Sequence, residues 1–245
     1  MTPHYQSHGI TLYVGDAREI LPTLRKGRDG YELLIADPPY GVKAKATGSR
    51  TMPLALDRIA GDESTDAGTE IVSAAWPCVA MHRHAYVFGP FKLDGLSHAA
   101  GCCELIWDKV IPTMGDLDHP WAKQHEPIQF AMRADGMVNM ARRGGKLARV
   151  RSGSVLRYQR PNGSGAKHHV SEKPVPLLRE LIEMSSRHGE TVLDPCAGSG
   201  STLVAALIEG RQAVGIELET QWADVAAERL SKLTRQGDLF GLDVA

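Results

Sequence analysis

No apolar run in this chain of 245 residues is long enough to cross a bilayer, so no membrane span is expected. The start, Met1-Thr-Pro-His4, shows no secretory h-region. Cysteine is scarce: Cys78, Cys102, Cys103 and Cys196 form neither a CxxC pair nor a zinc-ligand spacing, so no metal is expected and a cytoplasmic location is. The sequon Asn162-Gly-Ser164 then reads only as a turn. There is no Gly-Lys-Ser/Thr for gripping phosphates, which argues against an ATPase. No Ser/His/Asp or Cys/His arrangement offers a nucleophile. Net charge is also missing, at -1, so any basic surface must be local.

What is present is ordinary in bulk, with 42% apolar and 23% charged residues, enough for one substantial core plus a small appendage. The stretch that organises the chain is Tyr31-Glu-Leu-Leu-Ile-Ala-Asp37-Pro38-Pro39-Tyr40-Gly41. It reads as a buried strand stopped at once by two prolines. At the stop lie a carboxylate, a proline carbonyl and an aromatic ring. Acceptors without a competing basic side chain suit a weak amine, and the ring suits a flat partner such as a nucleobase.

A second stretch stands far downstream: Val192-Leu-Asp194-Pro195-Cys196-Ala197-Gly198-Ser199-Gly200-Ser201-Thr202. A strand over 191–193, this loop, a helix over 202–208 and a strand over 213–216 ending at Glu217 have the order of a nucleoside-binding half. Gly198 and Gly200 let backbone amides approach a ligand, and Glu217 stands where an acid accepts from both ribose hydroxyls. The third glycine of the dinucleotide fingerprint is absent. Asp194 is a poor neighbour for pyrophosphate but suits a cationic ligand. S-adenosylmethionine, with an ammonium, a sulfonium and a ribose, fits that description.

Strands are also expected at 11–15, 84–88, 102–107 and 128–132, and helices at 71–82, 177–185 and 222–233, with a frayed tail after Arg235. The fold class is α/β, a doubly wound, mostly parallel, Rossmann-like sheet with helices on both faces. Asp16 reads either as a helix cap or as a ligand acceptor at a strand end. Residues 42–70, with Lys43 and Lys45, read as a mobile loop whose basic residues either touch phosphate or merely keep it soluble. Over 133–167 stand nine basic residues against one acid, Arg142, Arg143, Lys146, Arg149, Arg151, Arg157 and Arg160 among them. That concentration reads as a nucleic-acid footprint on a core insertion.

Asp37-Pro-Pro-Tyr40, the Asp194-to-Gly200 loop and Lys173-Pro174 together resemble the amino-methyltransferases of DNA adenine N6 and cytosine N4. The Asp37 segment precedes the glycine loop, as in their circularly permuted beta class, where the target-recognition insert lies between the two. Ile106-Trp-Asp-Lys109 and His125-Glu-Pro127 are similar to that class's linking motifs. The resemblance implies a catalytic half at 1–132, a recognition insert at 133–168, a cofactor half at 169–235 and a tail at 236–245. It implies methyl transfer from S-adenosylmethionine to a flipped base in double-stranded DNA, leaving S-adenosylhomocysteine. It places Asp37, Pro38 and Tyr40 at the amine, with Pro39, Gly41, Lys43 and Lys45 beside the target. It places Asp16 at the cofactor adenine and Lys173 at its amino-acid end. Asp before Pro-Pro leans toward adenine. Cytosine N4, an RNA amine, and a nucleic-acid-binding protein without turnover are the alternatives. A homodimer and a cognate restriction endonuclease are further expectations. Cys196 stands where the family commonly has Phe, and His169-Val170 where it usually has His-Pro.

Overall fold

The computed structural model describes residues 1–39, 65–112, 121–134, 152–161 and 172–239. Among the described residues nine strands form one sheet in the order β1-β2-β9-β8-β3-β4-β6-β5-β7. They are β1 (Tyr5–Ser7), β2 (Ile10–Val14), β3 (Tyr31–Ala36), β4 (Val79–Phe88), β5 (Ala99–Asp108), β6 (His125–Arg133), β7 (Val155–Arg157), β8 (Thr191–Asp194) and β9 (Gln212–Glu217). β2, β9, β8, β3 and β4 run parallel, while β6 is antiparallel to both β4 and β5.

Period-two burial explains the layers. Leu33 and Ile35 face one side of β3, and Leu34 and Ala36 the other. The first side is covered by α3 (Val175–Ser185), α4 (Ser201–Ile208) and α5 (Thr220–Leu239) through Leu177, Leu181, Leu203 and Leu230. The second is covered by α1 (Ala17–Ile20) and α2 (Thr65–Ala75), with Ile20, Val72 and Trp76. The doubly wound sheet with helices on both faces is therefore what the chain adopts. Among the described residues no helix is long and apolar enough to cross a membrane.

Several boundaries differ from the sequence reading. The helix expected at 71–82 is α2, which starts at Thr65 and gives way to a short 3₁₀ turn at Trp76–Cys78. Pro77 cannot sit inside a helix, which is why the element ends there. Residues 65–70 are thus helix, not loop; the rest of the expected loop, through residue 64, lies outside the described residues. The insert does not begin at 133, because Arg133 closes β6 and donates to the carbonyls of Pro77 and Val79. Part of the insert joins the core sheet: β7 pairs in parallel with β5 at Ile106–Asp108. The last helix runs past Arg235 to Leu239, so the tail is shorter than expected.

Candidate active site

The chain leaves β8 through α4 toward β9, and leaves β3 through α2 toward β4 on the opposite side. The strand order therefore reverses between β8 and β3. In a parallel sheet the crevice at such a reversal, beyond the carboxyl ends of the strands, is where ligands bind. β3 ends directly before Asp37, β8 ends on Asp194 and β9 on Glu217. β2, on the far side of β9, ends just before Gly15 and Asp16. The two motifs, remote in sequence, meet at one sheet edge.

Lys173, 136 residues after Asp37, donates from Nζ to Asp37 Oδ2 at 2.6 Å. The expectation that no basic side chain competes for this carboxylate is thus overturned. Sequence distance hid the partner, which the neck of α3 delivers to the sheet edge. The same ammonium lies 3.1 Å from Glu126 Oε1, and Glu126 Oε2 lies 2.9 Å from Lys109 Nζ. Lys109, Glu126 and Lys173 are all buried, with the two ammonium groups against the rings of Trp107 and Phe88. In the sequence Glu126 and Lys109 stand out only as members of the segments that resemble linking motifs, with no role at the carboxylate. The available signal was a charge at each end of the apolar β5–β6 hairpin.

Asp37 Oδ1 is shut from solvent and has no hydrogen-bond partner among the described residues. Burial pushes the Asp37 carboxyl up against the opposing pull of Lys173. Burial would lower Lys173, but Asp37 and Glu126 outweigh it and hold it raised. For Glu126 too burial is the largest influence and would raise it; Lys173 and Lys109 together prevail and bring it down to about 2. Behind this loop, α2 presents Gly68. A Cβ there would collide with the Pro39 carbonyl and lie 2.9 Å from the Phe91 ring.

In the glycine loop Gly198 and Gly200 have φ of 52° and 80°. A Cβ at Gly200 would come within 2.8 Å of Ala226 Cβ on α5. The Cys196 amide donates to Asp194 Oδ1 at 2.9 Å. Burial lifts Asp194 to about 7, against the hydrogen bond from Thr202. It also raises the Cys196 thiol well above its usual range, which fits packing and not nucleophilic attack. Glu217 accepts from the amides of Gly198 at 2.7 Å and Glu219 at 2.9 Å, so it ties the loop to β9. Ser199 and Ser201 lie against Arg229 of α5, which pairs with Glu172 at 2.9 Å. Arg229 and Glu172 were not singled out in the sequence.

Asp16 is the cap of α1: its Oδ1 accepts from the Arg18 amide at 2.8 Å, and its Oδ2 pairs with the Arg18 guanidinium at 2.6 Å. Arg157 pairs with Asp108 at 3.1 Å from an exposed position on β7, and Arg160 is exposed just beyond. Tyr40, Gly41, Lys43, Lys45, Arg142, Arg143, Lys146, Arg149 and Arg151 lie outside the described residues.

A doubly wound sheet with a glycine loop and a buried carboxylate at its switch point is an architecture that binds nucleoside cofactors. A family model described as DNA methylase, of the N6_N4_Mtase type, matches residues 96–228. Type II methyltransferase M2.DpnII of Streptococcus pneumoniae is 40% identical over 254 residues, covering 93% of this chain and 92% of that one. A shorter match, 50% identical over 72 residues, spans 32% of the length of the YubD protein of Escherichia coli (strain K12). Among solved structures, the M1.HpyAVI-SAM complex superposes with a TM-score of 0.64 at 18% identity, covering 90% of this chain and 98% of that one. The cytosine-N4-specific PvuII DNA methyltransferase superposes at 0.65 and 15% identity, covering 92% and 87%. The chain belongs to the N6/N4 family of DNA methylases.

Proposed function

We propose that this chain transfers a methyl group from S-adenosylmethionine to the N6 amine of an adenine swung out of duplex DNA. The observation that carries the reading is Asp37 Oδ1, a buried acceptor without a partner among the described residues, beside the switch-point crevice. Native proteins rarely leave such an atom orphaned, and an amine hydrogen would satisfy it.

The residues present fit the cofactor. Gly198 and Gly200 adopt left-handed backbone that opens the loop, and the acids Asp194 and Glu217 suit a ligand that is cationic and lacks phosphate. In this reading Asp194 to Thr202 cradle it, Glu217 accepts from its ribose, Asp16 meets its adenine and Lys173 borders its amino-acid end. Bound there, it supplies a methyl group made electrophilic by a sulfonium. Asp37 and the Pro38 carbonyl accept from the target amine, which draws its lone pair out of conjugation, and Tyr40 stacks on the base. Transfer would leave S-adenosylhomocysteine as the leaving group, and the proton released by the methylated nitrogen would pass to solvent. Asp37 stabilises the charge that develops on nitrogen, so its hydrogen bond counts most in the transition state. The base must leave the stack, at a cost of a few kcal/mol, and contacts from the basic insert to phosphate would offset this.

Adenine is preferred to cytosine because Asp opens the Asp37-Pro-Pro-Tyr40 motif; N4 of cytosine offers the same amine chemistry. The reading extends to a cytoplasmic homodimer partnered with a cognate endonuclease. Labelled cofactor offered with duplex DNA, single-stranded DNA and RNA tests it. Label is expected in duplex DNA, and Asp37→Ala is expected to cut turnover severely while calorimetry shows cofactor binding intact. Tight nucleic-acid binding without transfer to any of the three would leave a binding protein instead.

A further inference from the structure

Lys109, Glu126, Lys173 and Asp37 form one file of alternating charge that runs from the β5–β6 hairpin to the reacting amine. Consecutive contacts are 2.9, 3.1 and 2.6 Å. Burying so many charges is costly unless each is compensated, and here the alternation sums to neutrality. In the proposed reading Asp37 meets the amine and Lys173 borders the cofactor, whereas Glu126 and Lys109 touch neither. We propose that Glu126 and Lys109 are positioning residues for methyl transfer: through Lys173 they hold the Asp37 carboxylate in one orientation and one charge state, so that Oδ1 alone is offered to the amine.

The inference rests on Asp37 being the amine acceptor and adds what sets its state. Three observations support it. Lys173 occupies Oδ2, so the two carboxylate oxygens are inequivalent before any substrate arrives. The Lys173 ammonium is itself fixed, by Glu126 on one side and the Phe88 ring 5.0 Å away on another. Lys109 is held by Glu126 and by the Trp107 ring at 5.0 Å, and Trp107 is locked by donating Nε1 to the Tyr158 carbonyl at 2.7 Å. The file is therefore anchored in packed aromatics at the end away from the reaction. A carboxylate held this way need not reorganise as charge appears on the nitrogen.

The charges facing Asp37 act with known signs. Lys173 and Lys109 favour its ionised form and Glu126 opposes it. Asp194 and Cys196 of the glycine loop also face it, and Arg160 faces Lys109. Protonation of Asp37 would remove the negative charge that stabilises the developing charge on nitrogen, so turnover should fall on the acid side as it protonates. Removing Lys109 should move that acid limb to higher pH. Removing the Glu126 charge should move it to lower pH. A purely structural contribution would lower turnover without opposite displacements.

The test is the pH profile of kcat on duplex DNA, at saturating cofactor, for the parent, Lys109→Met, Lys109→Arg, Glu126→Gln and Asp37→Asn. The expected result is an acid limb raised by roughly half a unit or more in Lys109→Met, restored in Lys109→Arg, and lowered in Glu126→Gln. If Glu126→Gln fails to fold, the displacement in Lys109→Met and its return in Lys109→Arg still decide. An acid limb that stays at the parental pH in every folded Lys109 and Glu126 variant, while Asp37→Asn is inactive, overturns the inference and leaves the Asp37 reading intact. Parental turnover in Asp37→Asn would instead remove the need for an ionised carboxylate, on which the inference rests.

Discussion

Asp194 is where pH should enter cofactor binding. Burial lifts it to about 7, so near neutrality it is only partly ionised. A cationic ligand favours the charged form, so binding should release a proton, and affinity should weaken as pH falls below about 7, by at most roughly tenfold per unit. Calorimetry in buffers of different ionisation enthalpy would read both effects; affinity level from pH 6 to 8 would count against a cation beside Asp194. His84 gives a separate stability prediction. It is buried against Ser185, and burial lowers it to about 4. Its folded value lies below its unfolded value of 6.5, so the neutral form stabilises the fold above that pH and the benefit is lost as pH falls toward 4. The loss is on the order of 3 kcal/mol. Urea titrations from pH 7 to 4 should show a shallower decline in His84→Phe than in the parent, and equal declines would exclude the residue.

At the scale of elements, the fit of α2 against the Asp37 loop is the most exposed to test. Gly68 lies inside a helix, where Ala is ordinarily favoured by about 1 kcal/mol. Here the Cβ would meet the Pro39 carbonyl and the Phe91 ring, and overpacking of that kind costs roughly 1–3 kcal/mol. Overpacking wins, so Gly68→Ala should lower the thermal midpoint and cut turnover about tenfold or more by displacing the loop. A higher midpoint with parental turnover would show that the helix simply moves aside. The same element shows what sequence can and cannot convey. β3, β8, β9 and α4 were legible because their apolar runs are bounded by Gly, Pro or acid. α2 was misplaced because its early turns are polar, although Pro77 marked its end. β1 and β7 have three residues each and lie at the sheet edges, so neither displays a period. Within the site, the carboxylates and glycines were legible from their motifs. The file from Lys109 to Asp37 was not, because each contact joins segments that only the sheet order brings together.

For the whole molecule, a net charge of -1 means that DNA must be met by a local surface. Arg157 and Arg160 stand exposed at the β7 edge, next to the strand end that carries Lys109. Replacing Arg142, Arg143, Lys146, Arg149 and Arg151 by Ala should flatten the dependence of DNA affinity on salt, by roughly one unit of slope for each phosphate no longer neutralised, and leave cofactor affinity unchanged. An unaltered slope would remove the insert from the interface. The account as a whole turns on one acceptor, Asp37 Oδ1, taking one amine. The measurement that tests this most directly is mass analysis of nucleosides digested from mixed-sequence duplex DNA after treatment with the parent or with Asp37→Ala. The account predicts N6-methyladenine from the parent and none from the variant, with the variant still binding cofactor. N4-methylcytosine without N6-methyladenine, or undiminished product from Asp37→Ala, would contradict it.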